Sequence, residues 1–213
     1  PLIEPIPAEE AAEAVEQYLE MGQTYYELVD LDNARKTYAT ALALTQRSRV
    51  NDPSLAMKVL LRMGDIDMQR LDWRQAMVTY AQVKTIDATN EQGRSMLASL
   101  YLRTGQTRQA ISEVDDYLKL TLGRGEVARA ITFLEIIIRD HPEDITIRSR
   151  LARIYQETGR KADAIAQLDA IGEAQLQADN RGDAIKTIQS IIAMNPENLS
   201  DYQQILADLQ AGK

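Results

Sequence analysis

Residues 97–143 recur as residues 151–197 at a constant offset of 54. Leu97, Ala98, Tyr101, Thr104, Gly105, Ala110, Ile111, Asp115, Ala130, Ile131, Ile137, Pro142 and Glu143 return as Leu151, Ala152, Tyr155, Thr158, Gly159, Ala164, Ile165, Asp169, Ala184, Ile185, Ile191, Pro196 and Glu197. Self-similarity at a fixed spacing marks stacked supersecondary units, none of which can bury its apolar face alone. An array of this kind offers extended surfaces rather than one enclosed pocket. The functional reading therefore starts from binding rather than catalysis.

The units are helical. Only ten Gly and six Pro interrupt a chain rich in Ala, Leu, Gln, Glu and Arg, with apolar residues at helical spacing almost throughout. The pattern predicts eleven helices: 8–29, 31–44, 54–70, 72–86, 90–103, 107–121, 126–140, 145–157, 160–178, 181–193 and 199–209. Gly105 and Gly159 stand just past helix ends, where a left-handed residue costs glycine least. Pro142 and Pro196 require that a helix has already ended. Asp32-Asn33, the run 87–90 and Asn198 are positioned to cap the helices that follow.

The small residues carry a second register. Gly22, Gly64, Ala98 and Ala152 are followed three positions later by Tyr25, Asp67, Tyr101 and Tyr155, and twelve positions later by Ala34, Ala76, Ala110 and Ala164. Four positions beyond these stand Tyr38, Tyr80, Val114 and Leu168. Paired antiparallel helices must approach closely at the small residues, and larger side chains there should overpack by roughly 1–3 kcal/mol. This pattern resembles the tetratricopeptide repeat. The resemblance runs from about residue 11 to 198 and is strongest in Met21-Gly22, Tyr25, Ala34, Tyr38 and Ala41.

The resemblance implies an all-α, right-handed α-solenoid of tetratricopeptide-like hairpins with a C-terminal capping helix. Two departures modify it. Gly22 to Gly64 spans 42 residues where 34 is usual, which enlarges the segment 46–53 into a candidate contact or flexible site. Ala110 to Ala130 and Ala164 to Ala184 span only 20, and counting back twelve reaches Leu118 and Gly172 inside the preceding helix. One helix should then serve two repeats, and the array should change direction near residue 107. The expected divisions are a Pro-rich linker at 1–7, regular repeats at 8–106, modified repeats at 107–198, and a polar-backed cap and tail at 199–213. Pro1, Pro5 and Pro7 read as an extended linker to a larger protein, and Gly212-Lys213 as a near-natural end.

Charge and composition narrow the function. A net charge of -8 opposes the phosphate attraction on which nucleic-acid binding depends, so no nucleic-acid partner is expected. No stretch is apolar enough for membrane insertion. The absence of Cys removes thiolate metal sites and thiol nucleophiles, and leaves the compartment open. His141, the single histidine, reads as a turn residue, since one imidazole makes neither a triad nor a metal site. Gly123-Arg124-Gly125 lacks the lysine and hydroxyl of a phosphate-binding loop. Asp115-Asp116 and Glu9-Glu10 read as solvated faces, and the repeat-spaced tyrosines as core filling. No catalytic, cofactor or metal residues are assigned, and the chain is not expected to be an enzyme.

In tetratricopeptide proteins the first helix of each pair lines a concave face that takes a peptide or partner helix. Carried onto this chain, the resemblance places Tyr26, Gln23, Leu61, Arg62, Asp65, Met68, Met96, Leu102 and Arg103 on that face as the partner-binding set. Tyr26, Leu61, Met68, Met96 and Leu102 would form an apolar strip rimmed by charge. A fourth set comprises Ser149, Arg150, Arg153, Gln156 and Glu157. Some family members clamp a C-terminal carboxylate; the matching positions here, Leu19, Gln23, Arg62, Gln92 and Met96, hold one cation, which disfavours that function. Two readings stay open: a non-enzymatic scaffold that binds a protein or peptide on the concave face, and a homo-oligomerising regulatory segment of a larger protein.

Overall fold

The computed structural model of the chain describes residues 7–47 and 52–211. Eleven α-helices occur among them and no strand: α1 (Ala8–Glu27), α2 (Leu31–Arg47), α3 (Pro53–Gln69), α4 (Trp73–Ile86), α5 (Glu91–Arg103), α6 (Thr107–Gly123), α7 (Val127–Asp140), α8 (Ile145–Glu157), α9 (Lys161–Gln177), α10 (Arg181–Ala193) and α11 (Leu199–Gln210). This is an all-α helical-repeat fold. The expected linker at 1–7 lies outside the described residues except for Pro7, as do positions 48–51 of the enlarged segment and Gly212-Lys213.

Local rules set the boundaries. Side chains of Asp52, Asp72, Asn90, Asp144 and Asn180 accept amide hydrogens in the first turns of α3, α4, α5, α8 and α10. Two capping expectations need correction. The cap of α2 is Asp30, which accepts from the Asn33 amide at 3.2 Å, rather than Asp32-Asn33, which lie inside the helix. Asn198 precedes α11 but makes no side-chain cap.

Six inter-helix turns share one geometry. The amide of the third residue past the helix donates back five positions, as in Asp30 to Tyr25 at 2.9 Å, Gln106 to Tyr101 at 2.7 Å and Arg160 to Tyr155 at 2.8 Å. The residue before it is left-handed: Gly105, Gly125 and Gly159 at φ 74°, Asp179 at φ 56°, Leu71 at φ 58° and Val29 at φ 60°. Helix α1 thus ends at Glu27, short of the expected Val29.

The chain divides into two compact units, residues 1–117 and 118–213, with the division inside α6. In the first, Tyr38 and Tyr80 are buried in successive clusters, one with Val15, Ala34, Val59 and Ile66, the other with Ala76, Leu97 and Leu100. Gly22 and Gly64 lie against these rings: a Cβ on Gly64 would stand 2.6 Å from Tyr80 Cε1. In the second, Ala130, Phe133, Leu134, Ile137, Ile147, Leu151 and Tyr155 are buried, and Tyr202 of α11 packs with Ile188 and Ile191 while donating to Asp169.

Asp67, which stands where other repeats carry tyrosine, is buried and accepts from Arg35 Nε of α2 at 2.6 Å and from Thr79 Oγ1 of α4 at 3.0 Å. A polar tie between consecutive hairpins replaces an aromatic wedge. A second buried set joins α4, α5 and α6: Glu113 receives Lys84 at 2.5 Å and pairs with Arg94, whose guanidinium lies 5.5 Å from the Tyr117 ring centroid. Both sets satisfy their charges, without which burial would be strongly unfavourable.

Candidate functional site

The candidate surface lies on α1, α3 and α5, all in the first unit. Residues 19, 20, 23, 24 and 27 of α1 recur at helical spacing, so they form one stripe, and Lys58 and Arg62 are one turn apart on α3. Together they line an open groove of about 560 Å3. Glu20 and Glu27 give its α1 wall negative charge; Lys58 and Arg62 make its α3 wall positive. Lys58 lies 3.4 Å from Glu16, with both side chains more than half exposed, so this pair holds little energy.

Two groups in the groove have unused bonding capacity. The Gln23 amide nitrogen donates to Glu27 at 3.0 Å, whereas its Oε1 is buried with no hydrogen-bond partner among the described residues. Arg62 is exposed and forms no ion pair within 4.0 Å among those residues. Its charge favours the ionised forms of Asp65 and Tyr38, opposing the effect of their burial.

The remaining predicted residues are placed differently. Tyr26 is half-buried against the Tyr38 cluster, and its hydroxyl accepts from Gln69 Nε2 of α3. Asp65 accepts from the Tyr80 hydroxyl at 2.9 Å, and burial raises its carboxyl above the ordinary 3.8. The same arrangement pushes the Tyr80 phenol far up. Leu61, Met68 and Met96 are half-buried and packed against the Tyr80 cluster. Leu102 is half-buried as well, and the exposed Arg103 stacks 5.1 Å from the Trp73 ring centroid. The strip is therefore partly interior, and each member offers only part of its side chain to solvent. Of the predicted set, the structure brings Gln23 and Arg62 into one groove.

A second cavity, of about 400 Å3, was not anticipated: Leu42, Thr45 and Gln46 of α2, Asp52, Pro53, Ala56 and Leu60, and Gln82, Thr85 and Ile86 of α4 line it. Gln46, Asp52 and Pro53, which flank the enlarged segment, are among the residues lining this hollow. The spacing of 42 was its only sequence signal. In the second unit, Gln156 lines a cavity of about 320 Å3 with Gly159, Lys161 and Met194, while Arg153 pairs with Glu157 at 2.7 Å. Tyr155, beneath, donates to Glu135 at 2.7 Å; burial, with the Glu135 carboxylate, pushes its phenol up to about 12. No group of three metal-ligating side chains occurs among the described residues, and no described helix is long and apolar enough to cross a membrane.

With this geometry in place, the chain can be set beside known proteins. Two sequence models of the tetratricopeptide repeat match it, at residues 9–47 and 121–179. Comparison with curated proteins finds no match. Among solved structures, a tetratricopeptide repeat protein from Parabacteroides merdae is similar at 15% identity and a TM-score of 0.44, covering 93% of this chain and 99% of that one. YrrB, described as a TPR protein with an unusual peptide-binding site, is similar at 15% identity and a TM-score of 0.42, covering 90% of this chain and 95% of its own. The TPR2AB domain of yeast Sti1 in complex with pHSP90 is similar at 15% identity and a TM-score of 0.40, covering 92% of this chain and 85% of that one.

Proposed function

Because the chain is a tetratricopeptide repeat protein, we propose that it is a non-catalytic interaction scaffold that binds an extended peptide or protein segment in the groove between α1 and α3. One observation carries the reading: the groove wall holds an acceptor, Gln23 Oε1, with no hydrogen-bond partner, and an exposed cation, Arg62, with no ion pair within 4.0 Å among the described residues. A buried acceptor without a donor is unfavourable by about 1–3 kcal/mol, and rotation of the Gln23 amide toward the groove would let a bound backbone amide recover that energy. Arg62 suits a carboxylate one or two residues away on the same segment, through a forked, charge-assisted contact. The Glu20 and Glu27 wall disfavours further acidic residues on the other side, so the preferred segment carries its negative charge asymmetrically.

The test is selection from a random peptide library on the wild-type chain, followed by binding to Arg62→Glu and Gln23→Leu, with helicity checked by circular dichroism. Selected peptides should share an acidic residue. Arg62→Glu should weaken them at least tenfold, about 1.4 kcal/mol, and Gln23→Leu should weaken them without changing the charge preference. Peptides bound equally by wild type and both variants would remove the groove from the proposal.

A further inference from the structure

The α1–α3 groove has walls of opposite charge, and the contacts that cross between the two helices fix their register. Lys58 reaches Glu16 and Gln69 donates to the Tyr26 hydroxyl, pairs 42 and 43 residues apart. Helices α1 and α3 therefore run parallel, and the same offset of 42 sets Arg62 opposite Glu20. Both line the groove, yet neither forms an ion pair within 4.0 Å among the described residues. The other charged groups on these walls are engaged. Lys58 and Glu16 offset one another, Glu27 accepts from the Gln23 amide at 3.0 Å, and Asp65, one turn from Arg62 on α3, accepts from the Tyr80 hydroxyl of α4 at 2.9 Å. Glu20 and Arg62 are left facing each other across the opening.

This opposition constrains the occupant. A segment entering the groove displaces water from both charges. One that carries only a carboxylate for Arg62 also brings it toward Glu20, and like charges juxtaposed at an interface are unfavourable. One that supplies a base as well answers both walls. Successive side chains of an extended segment point to opposite sides, so an acid and a base at adjacent positions meet the two walls, whereas two positions apart they meet the same wall. Resting on the groove reading above, we propose that the occupant is an extended segment with an acidic and a basic residue side by side in sequence, the acid on Arg62 and the base on Glu20. Glu20 is then a specificity-determining residue of the groove, one that reads the neighbour of the acid rather than the acid itself.

The test takes library-selected peptides whose binding is lost on Arg62→Glu. Each is resynthesised with the base beside its acid replaced by Ala, and again with that base moved one position further from the acid. Binding is measured to wild type, Glu20→Gln and Glu20→Lys, with helicity checked by circular dichroism. On wild type both changes to the peptide should weaken binding about threefold, the scale of an exposed ion pair. On Glu20→Gln neither should matter, and Glu20→Lys should prefer a peptide in which Glu replaces the base. If no selected peptide depends on Arg62, the groove reading falls and this inference with it. If Arg62-dependent peptides lack a neighbouring base, or bind wild type as well without it, this inference alone is overturned. It is also overturned if Glu20→Gln still distinguishes the peptides, because the base then meets another residue.

Discussion

Substituting Ala at two buried helix glycines should change stability in opposite directions. On Gly64 a Cβ would meet Tyr80 Cε1 and Cζ at 2.6 Å, against an ordinary carbon contact of about 3.5–4.0 Å. The ring has nowhere to go: Tyr80 is fully buried, and its hydroxyl is bonded to Asp65. Overpacking of about 1–3 kcal/mol therefore outweighs the gain of nearly 1 kcal/mol that Ala brings to a helix interior. On Gly172 the nearest atoms are Thr187 Cγ2 at 3.8 Å and Ile188 Cδ1 at 3.9 Å, ordinary contacts, so only the helix gain remains. Urea unfolding followed by circular dichroism should show Gly64→Ala destabilised by about 1–2 kcal/mol and Gly172→Ala stabilised by about 0.5–1 kcal/mol. Fluorescence of Trp73 gives a second probe within the first unit. If Gly64→Ala matches wild type, or both substitutions shift stability the same way, the close crossing at Tyr80 is not what selects glycine.

The polar tie between hairpins should be asymmetric: Arg35→Met leaves a carboxylate 4% exposed with only the Thr79 hydroxyl, a loss of about 3–5 kcal/mol. Asp67→Asn keeps an acceptor for Thr79 and leaves an arginine 20% exposed and able to reach water, a loss of about 1–2 kcal/mol; urea midpoints that rank the two the other way would refute this account. The carboxyl of Asp65 is raised from 3.8 by burial, so its contribution to stability is full below that value and lost as pH rises through the raised one. Asp65→Asn, which keeps an acceptor for Tyr80, should gain on wild type as pH rises above 3.8, and a difference that stays constant with pH would contradict the assignment. Asn90→Ala removes the acceptor of the Gly93 amide at 2.8 Å and should reduce thermal stability by about 1 kcal/mol.

The helices were legible because their signals are local. Apolar spacing, the glycines at 105 and 159 and the prolines at 142 and 196 placed eleven helices close to their observed bounds. Gly22 and Gly64 were legible for a related reason: small residues at the repeat spacing imply a crossing, and the rings of Tyr38 and Tyr80 occupy it. What pairs across the repeats was not legible. Asp67 read as the loss of a tyrosine because its partners, Arg35 and Thr79, lie 32 residues before it and 12 after it, and no periodicity links them. Val29 read as the last residue of α1, since propensity ranks valine as an ordinary helix former and carries no information that the backbone turns left-handed there. Tyr26 read as a member of the partner-facing strip, whereas it packs on the Tyr38 cluster and its hydroxyl accepts from Gln69.

The inner-face residues show why a repeat register locates a surface more readily than a site. Leu61, Met68 and Met96 occupy the register of a partner-facing strip, but their packing on the Tyr80 cluster means that much of their apolar area is already removed from water. Binding energy drawn from them is limited to what remains exposed, at about 25 cal/mol per Å2. Groups that pack nothing keep their full capacity. Gln23 Oε1 lacks a donor and Arg62 makes no ion pair within 4.0 Å among the described residues, so a ligand that supplies both gains interactions that folding has not already used. Specificity in this groove should therefore follow polar placement.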